Sequence, residues 1–248
     1  MSTMLALLLV LLILMIIVGG RSGIKSYLSI IINFGLVFVV ALLISWGANI
    51  ALTAACFVPL KLLTIIYLGT NETKIADKSF LSSFIVTVII VVLILGFNFL
   101  AQAPGIGEQA GEDLIGLSDA PGLSFAAIGV VVAVFSTLGA ISEAAVAMSA
   151  GLIELKRQNQ QLSIEKFYQS GLNIGEDILG TAVNTILFGF FGSFLALFIW
   201  YTRLNYTISQ ILNDKLFAQE FLIMCYSIIG VLLVIPLTTL VVSRSKKL

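Results

Sequence analysis

The chain of 248 residues contains no histidine, only two cysteines and four prolines, and just 10% of it is charged. Without histidine there is no Ser–His pair for nucleophilic catalysis and no H-E-x-x-H zinc helix. Cys56 and Cys225 lie far apart, each in an apolar run. That spacing gives neither a zinc site nor a disulfide framework, and both read as small hydrophobes in helix packing. No Walker A sequence is present. Asp177 is the one aspartate inside an apolar segment, whereas aspartyl proteolysis within a membrane needs two that face each other. The expectation is a protein that is not an enzyme and uses no metal and no cofactor. The formal net charge of zero decides nothing, since the charges fall on two sides of a membrane, but no basic, aromatic-studded patch occurs, so nucleic acid is not an expected partner. The scarcity of charge also excludes a soluble domain of this size, which needs a polar surface that this composition cannot supply.

What the chain has instead is apolar length. It is 59% hydrophobic, with a mean hydropathy of +1.12. Seven runs, at about 3–19, 28–45, 48–69, 80–101, 123–150, 172–201 and 219–242, reach or approach the ~20 residues that cross a bilayer as a helix. They lack the in/out alternation of barrel strands, and a helix satisfies its own backbone in lipid. The predicted fold is all-α, a polytopic bundle of about seven spans in a single transmembrane domain, 1–248. The first run lacks a positive leader and a small-residue cleavage site, and reads as a retained span.

Charge sets the orientation. Alternating the loops gathers Arg21, Lys25, Lys74, Lys78, Lys156, Arg157, Lys166, Arg244, Lys246 and Lys247 on one side, leaving Arg203 and Lys215 on the other. By the positive-inside rule the N-terminus is outside and the C-terminus cytoplasmic. Residues 151–171 become a basic cytoplasmic loop. Residues 102–122, with Glu108, Glu112, Asp113 and Asp119 and no basic residue, become an acidic outer loop.

Three features stand out against the apolar background. In "AISEAAVAMS" (140–149), Glu143 sits inside the fifth run, where an acidic residue costs about 2.5–3.5 kcal/mol near a span centre. Its helical neighbours Ser136, Gly139, Ala147 and Ala150 are small, a face suited to close helix approach or to the wall of a polar cavity. In "SGLNIGEDILGTAVNTILFGFFG" (170–192), Asn173, Asp177, Thr181 and Asn184 fall on one helical stripe. In "FVPLKLL", Pro59 threatens to break the third span, and Lys61 is a basic residue within it. Each also has a structural reading: an interhelical hydrogen bond, packing glue, or a lysine that snorkels to the interface.

The stretch "LGAISEAAVAMSAGLIELKRQNQQLSIEKFYQSGLNIGEDILGTAVNTILFGFFG" (138–192) resembles the core of the YibE/F-like bacterial membrane proteins. Their pattern runs G-A-x-x-D-V-A-x-S-I-A, a basic cytoplasmic stretch, then S-G-x-x-I-G-R-D-x-x-G-x-x-x-N-T-L. Gly139, Ala140, Ala145, Ser170, Gly171, Ile174, Gly175, Asp177, Gly180, Asn184 and Thr185 match it. "GGRSGIKS" at 19–26, with Asn33 and Phe34, resembles the start of the shorter, YibF-like members. Glu143 stands where the family usually has aspartate, Ser142 where many members have a second one, and Glu176 replaces the usual arginine. The resemblance implies a multi-pass bacterial inner-membrane protein. It implies as partner a longer YibE/F-like chain with an extracytoplasmic domain, with self-association as the alternative beside contact with the lipid bilayer.

The expected function is that of a permease-like subunit moving an ion or small solute, with proton coupling through Glu143 as one form of it. Asp177, Thr181, Asn184 and Asn173 would line the same cavity, with Lys61 as a possible partner for a carboxylate. The alternative is a non-transporting scaffold, in which the polar stripe meets a partner's helices.

Overall fold

Long apolar runs with capping residues at their starts dictate the architecture. The computed structural model describes residues 3–101, 124–159 and 162–245. The expected acidic loop 102–122, and Lys246 and Lys247, lie outside the described residues. Among the described residues seven helices follow in order: α1 Thr3–Ser45, α2 Ile50–Gly69, α3 Thr73–Ala101, α4 Phe125–Gln158, α5 Ile164–Arg203, α6 Ile208–Asn213 and α7 Lys215–Ser243. Side chains satisfy the free N–H groups where several of them begin. The Asn49 amide oxygen accepts from Leu52 N at 3.1 Å, and Ser124 Oγ from Ala127 N at 3.2 Å. The Asp214 carboxylate accepts from Leu216 N and Phe217 N at 3.0 and 3.1 Å.

Among the described residues six helices, all but α6, are long and apolar enough to cross a membrane. Seven separate spans were expected, and the difference is confined to α1. Residues 20–27 form no loop between the first two expected spans; the helix resumes directly after one non-helical residue, Gly20, at φ 55° and ψ −128°. That positive φ is open to glycine and strained for nearly every other residue. A Cβ on Gly23 would overlap the Met15 carbonyl, eight residues back. In a straight helix those positions stand ~12 Å apart, so α1 bends sharply on itself at Gly20 and is two apolar stretches that meet at an angle. Unbroken, its 43 residues would reach ~65 Å, twice the hydrocarbon thickness.

Two further sequence expectations are corrected. Pro59 does not break α2, which runs unbroken through it. The basic segment 151–171 is mostly helix rather than loop. α4 continues to Gln158, and α5 starts at Ile164 behind Ser163, whose Oγ faces Lys166 N at 3.4 Å.

α4 is the axis of the bundle. It packs on α2, α3, α5 and α7, while α1 packs on α2, and α7 also packs on α3 and α5. Leu62, Ile66, Ile90, Ile94, Leu138, Ile141, Met148, Leu152 and Val231 are fully enclosed at its centre. Glycines bring helices close, as small residues do in membrane bundles. Gly171 of α5 lies under Thr239 of α7 and Leu152 of α4, and Gly175 under Ile235 of α7. Large apolar side chains cover the outside of the bundle, among them Leu7, Phe34, Val92, Phe188 and Leu195. In water such a surface would aggregate; in lipid it is the expected exterior. This is a multi-pass membrane protein.

Hydrogen bonds gather the basic residues at one end of the bundle. Asn71 Nδ2 donates to Ser22 Oγ at the α1 bend (2.7 Å), and the Arg157 guanidinium meets the Glu72 carboxylate at 2.8 Å. Lys156 Nζ donates to the Val242 and Ser245 carbonyls at the end of α7, at 3.2 and 2.8 Å. There a cation complements the helix dipole.

Candidate functional site

The exposed face of α4 follows directly from its sequence. Leu138, Ile141, Ala144, Ala145 and Met148 turn into the core, which leaves Ser136, Gly139, Glu143 and Ala147 on the opposite side. These residues thus share one face of α4, and no helix among the described residues covers it. α1 and α2 rise on one side of it and α5 on the other. Glu143 stands on the ridge between two clefts.

The first cleft, of about 700 Å³, lies between α1, α2 and α4, and Lys61, Asn33, Ser136, Gly139 and Glu143 are in its wall. The second, of about 420 Å³, lies between α4 and α5, with Glu143 again in its wall opposite Thr181 and Thr185. Gly139 and Ala147 are common to both. At these two positions a larger side chain would protrude into the space beside the carboxylate.

The expected site residues thus divide. Lys61 and Glu143 share the first cleft, and Thr181 and Glu143 the second. Asn173, Asp177 and Asn184 lie exposed on α5, in the wall of neither. Thr181 is held to its own helix, its Oγ1 donating to the Ile178 carbonyl at 3.0 Å and lying 3.3 Å from that of Asp177. Among the described residues Lys61 meets no carboxylate; its Nζ sits 4.9 Å from the centroid of the Phe135 ring, in cation–π contact. Phe135 precedes Glu143 by eight residues on α4, a rise of about 12 Å. The two charges therefore belong to one cleft but to different levels of it.

Sequence reasoning missed a polar network in the wall of the first cleft. Asn33 Nδ2 donates to the Ser29 carbonyl at 2.8 Å, and Ser29 Oγ to the Thr64 carbonyl at 3.1 Å. The Thr64 hydroxyl bridges the helices, 2.9 Å from Asn33 Oδ1 and 2.9 Å from the Lys61 carbonyl. These bonds tie α1 to α2 just beside Lys61. The signal was in the sequence: Asn33 is an amide deep in an apolar run, with Ser29 one turn before it, and an amide there needs a partner. Thr185, one turn beyond Thr181, was missed for its modest polarity. Asn33→Leu should keep the fold while loosening α1 from α2, with a loss of about 1 kcal/mol. Thermal melting, and faster hydrogen exchange confined to residues 24–45, would show it; unchanged exchange there would mean that the network does not hold the helices together.

Among the described residues no three His, Cys, Asp or Glu side chains come together as a metal site would require. The arrangement offers one carboxylate open to two clefts, an ammonium at another level of one of them, and hydroxyls and an amide along the walls.

Comparison with known proteins adds a family. The family model described as YibE/F-like protein matches residues 7–247, nearly the whole chain. No curated protein and no solved structure matches.

Proposed function

The chain belongs to the YibE/F-like protein family, and from that premise we propose that it is a permease-like, non-enzymatic subunit that moves an ion or small solute across a bacterial inner membrane. The observation that carries this reading is the position of Glu143, one ionisable group shared by two separate clefts. A carboxylate inside a membrane is costly unless something offsets it, and such residues are by default candidates for solute or proton pathways. Sharing gives it a use. A proton arriving from the α4–α5 cleft neutralises the group that holds a solute in the α1–α2–α4 cleft and releases it, while rocking of the flanking helices exposes the site to alternate sides. The basic end of the bundle is the cytoplasmic one in this reading.

The exposed Asn173, Asp177 and Asn184, outside both clefts, favour a second element: a polar seam on α5 for another membrane chain, either a longer family member or a second copy. In a pure scaffold that seam would be the whole function. A screen of melting temperature in nanodiscs, across ions, pH and small metabolites, separates the two. A ligand at 100 times its Kd stabilises by about 2.7 kcal/mol. The transport reading expects a stabilising solute whose effect disappears in Glu143→Gln. If no solute or pH stabilises the wild type and the two proteins melt alike, the scaffold is the better reading.

A further inference from the structure

The two charges in the first cleft are opposite in sign, form no ion pair among the described residues and lie at different levels, and they constrain what enters. Of the described side chains in its wall, Lys61 and Glu143 alone are formally charged. A simple cation drawn to Glu143 meets repulsion from Lys61, and a simple anion drawn to Lys61 meets repulsion from Glu143. A solute with both charges meets each with its complement, and it is neutral overall, so it carries no net charge into the membrane. We infer that this cleft is a binding site for a linear dipolar solute, with its cationic group at Glu143 and its anionic group at Lys61. The inference rests on the transport reading and names the class of its substrate.

Geometry sets the length of the molecule. Lys61 Nζ is placed by the Phe135 ring, eight residues from Glu143 on the same helix, so the charges are on the order of 10 Å apart. Ser136 and Gly139 lie between these levels, and their short side chains leave the floor open. The Asn33 amide faces the same space and is fixed by its bonds to Ser29 and Thr64, which pre-organises that wall. The volume, about 700 Å³, falls within the usual range of small-solute sites. An extended peptide advances about 3.5 Å per residue. A peptide of two or three residues, or an ω-amino acid of equal reach, spans the two charges. An α-amino acid, with both charged groups attached to one carbon, reaches only one of them.

The test is calorimetric binding to the full chain in nanodiscs. The probes are triglycine and 6-aminohexanoate, with glycine, ethylammonium and propionate as controls that cannot bridge. The wild type should bind both long dipolar probes and bind the controls at least tenfold more weakly. Lys61→Met and Glu143→Gln should each weaken the long probes by about tenfold or more, the loss of one charged hydrogen bond. Lys61→Glu, which leaves two carboxylates, should turn the preference toward 1,6-diaminohexane. Melting of each variant without ligand identifies any that fails to fold, and the wild-type ranking of probes stands without them. The inference is overturned if ethylammonium or a metal cation binds as well as the long probes, dependent on Glu143 and indifferent to Lys61→Met; transport would survive that result. Failure of every dipolar, cationic and anionic probe to bind would overturn both.

Discussion

Glu143→Gln should abolish solute movement, by about a hundredfold or more, in a protein that still inserts, folds and melts normally. The side chain is exposed on α4 and packs against nothing that its loss of charge would disturb. Glutamine keeps its size and its hydrogen-bonding oxygen, so a merely structural role would tolerate the change. What glutamine cannot do is carry negative charge or exchange a proton. Losing a charged hydrogen bond to the solute costs about 1.5–3 kcal/mol, one to two orders of magnitude, and the lost proton exchange adds to it. Glu143→Asp is the informative companion. It restores the charge but pulls it back by one methylene, and it is the residue that the family resemblance places at this position. Partial activity in Glu143→Asp with none in Glu143→Gln, measured as uptake into vesicles, is the result expected of a working carboxylate. Equal activity in all three would make the group a passive part of the helix surface.

The largest effect on stability should come from Gly175→Leu. A Cβ there already collides with the Ile235 side chain, and Ile235 is itself buried against the core. α5 cannot retreat locally, because Gly171, one turn earlier, is pressed under Thr239 and Leu152. Overpacking of this kind typically costs about 1–3 kcal/mol, and more where backbone must move. The melting temperature should fall by about 5–10 °C, or the protein should fail to assemble. Gly180→Leu on the same helix is the control. A Cβ there meets nothing within 4 Å, so that variant should stay within about 0.5 kcal/mol of wild type. Equal losses in the two variants would mean that α5 does not dock on α7 through its glycines.

Much of this fold was legible in the sequence because a membrane allows few solutions. The segments 48–69, 80–101, 123–150, 172–201 and 219–242 each fall on a helix of the structure, and the basic residues gather at one end. What was not legible lies where hydropathy is silent. "GGRSGIKS" has the polarity of a loop, yet the chain needs only one residue, Gly20, to leave helical geometry, and the helix resumes at once. Helices α4 and α5 run past the expected membrane boundary because helix ends depend on caps such as Ser163, not on apolarity. Pro59 offered a place for the span to break, yet α2 runs through it.

The site was legible in part, for similar reasons. Periodicity places residues on a face but does not reveal what stands opposite. It put Glu143 on a small-residue face, and it put Asn173, Asp177, Thr181 and Asn184 on one stripe. Only the packing of α5 against α4 brings Thr181 to Glu143 and leaves the other three outside the cleft. The contribution of α1, through Ser29 and Asn33, depends on a contact between segments 31 and 35 residues apart that no local pattern encodes.

If Glu143 faces open space that solutes and water reach, a cysteine in its place is open to reagents in water. Glu143→Cys, in a chain with Cys56→Ser and Cys225→Ala, would be reconstituted and treated with a charged, membrane-impermeant thiosulfonate. Asn159→Cys, exposed at the end of α4, serves as the aqueous reference. Position 143 should be modified within about tenfold of the reference rate, since thiolates react only where water reaches them. A cysteine at 143 that stays unmodified while position 159 reacts to completion would place the carboxylate against lipid or a partner helix, and would contradict the account.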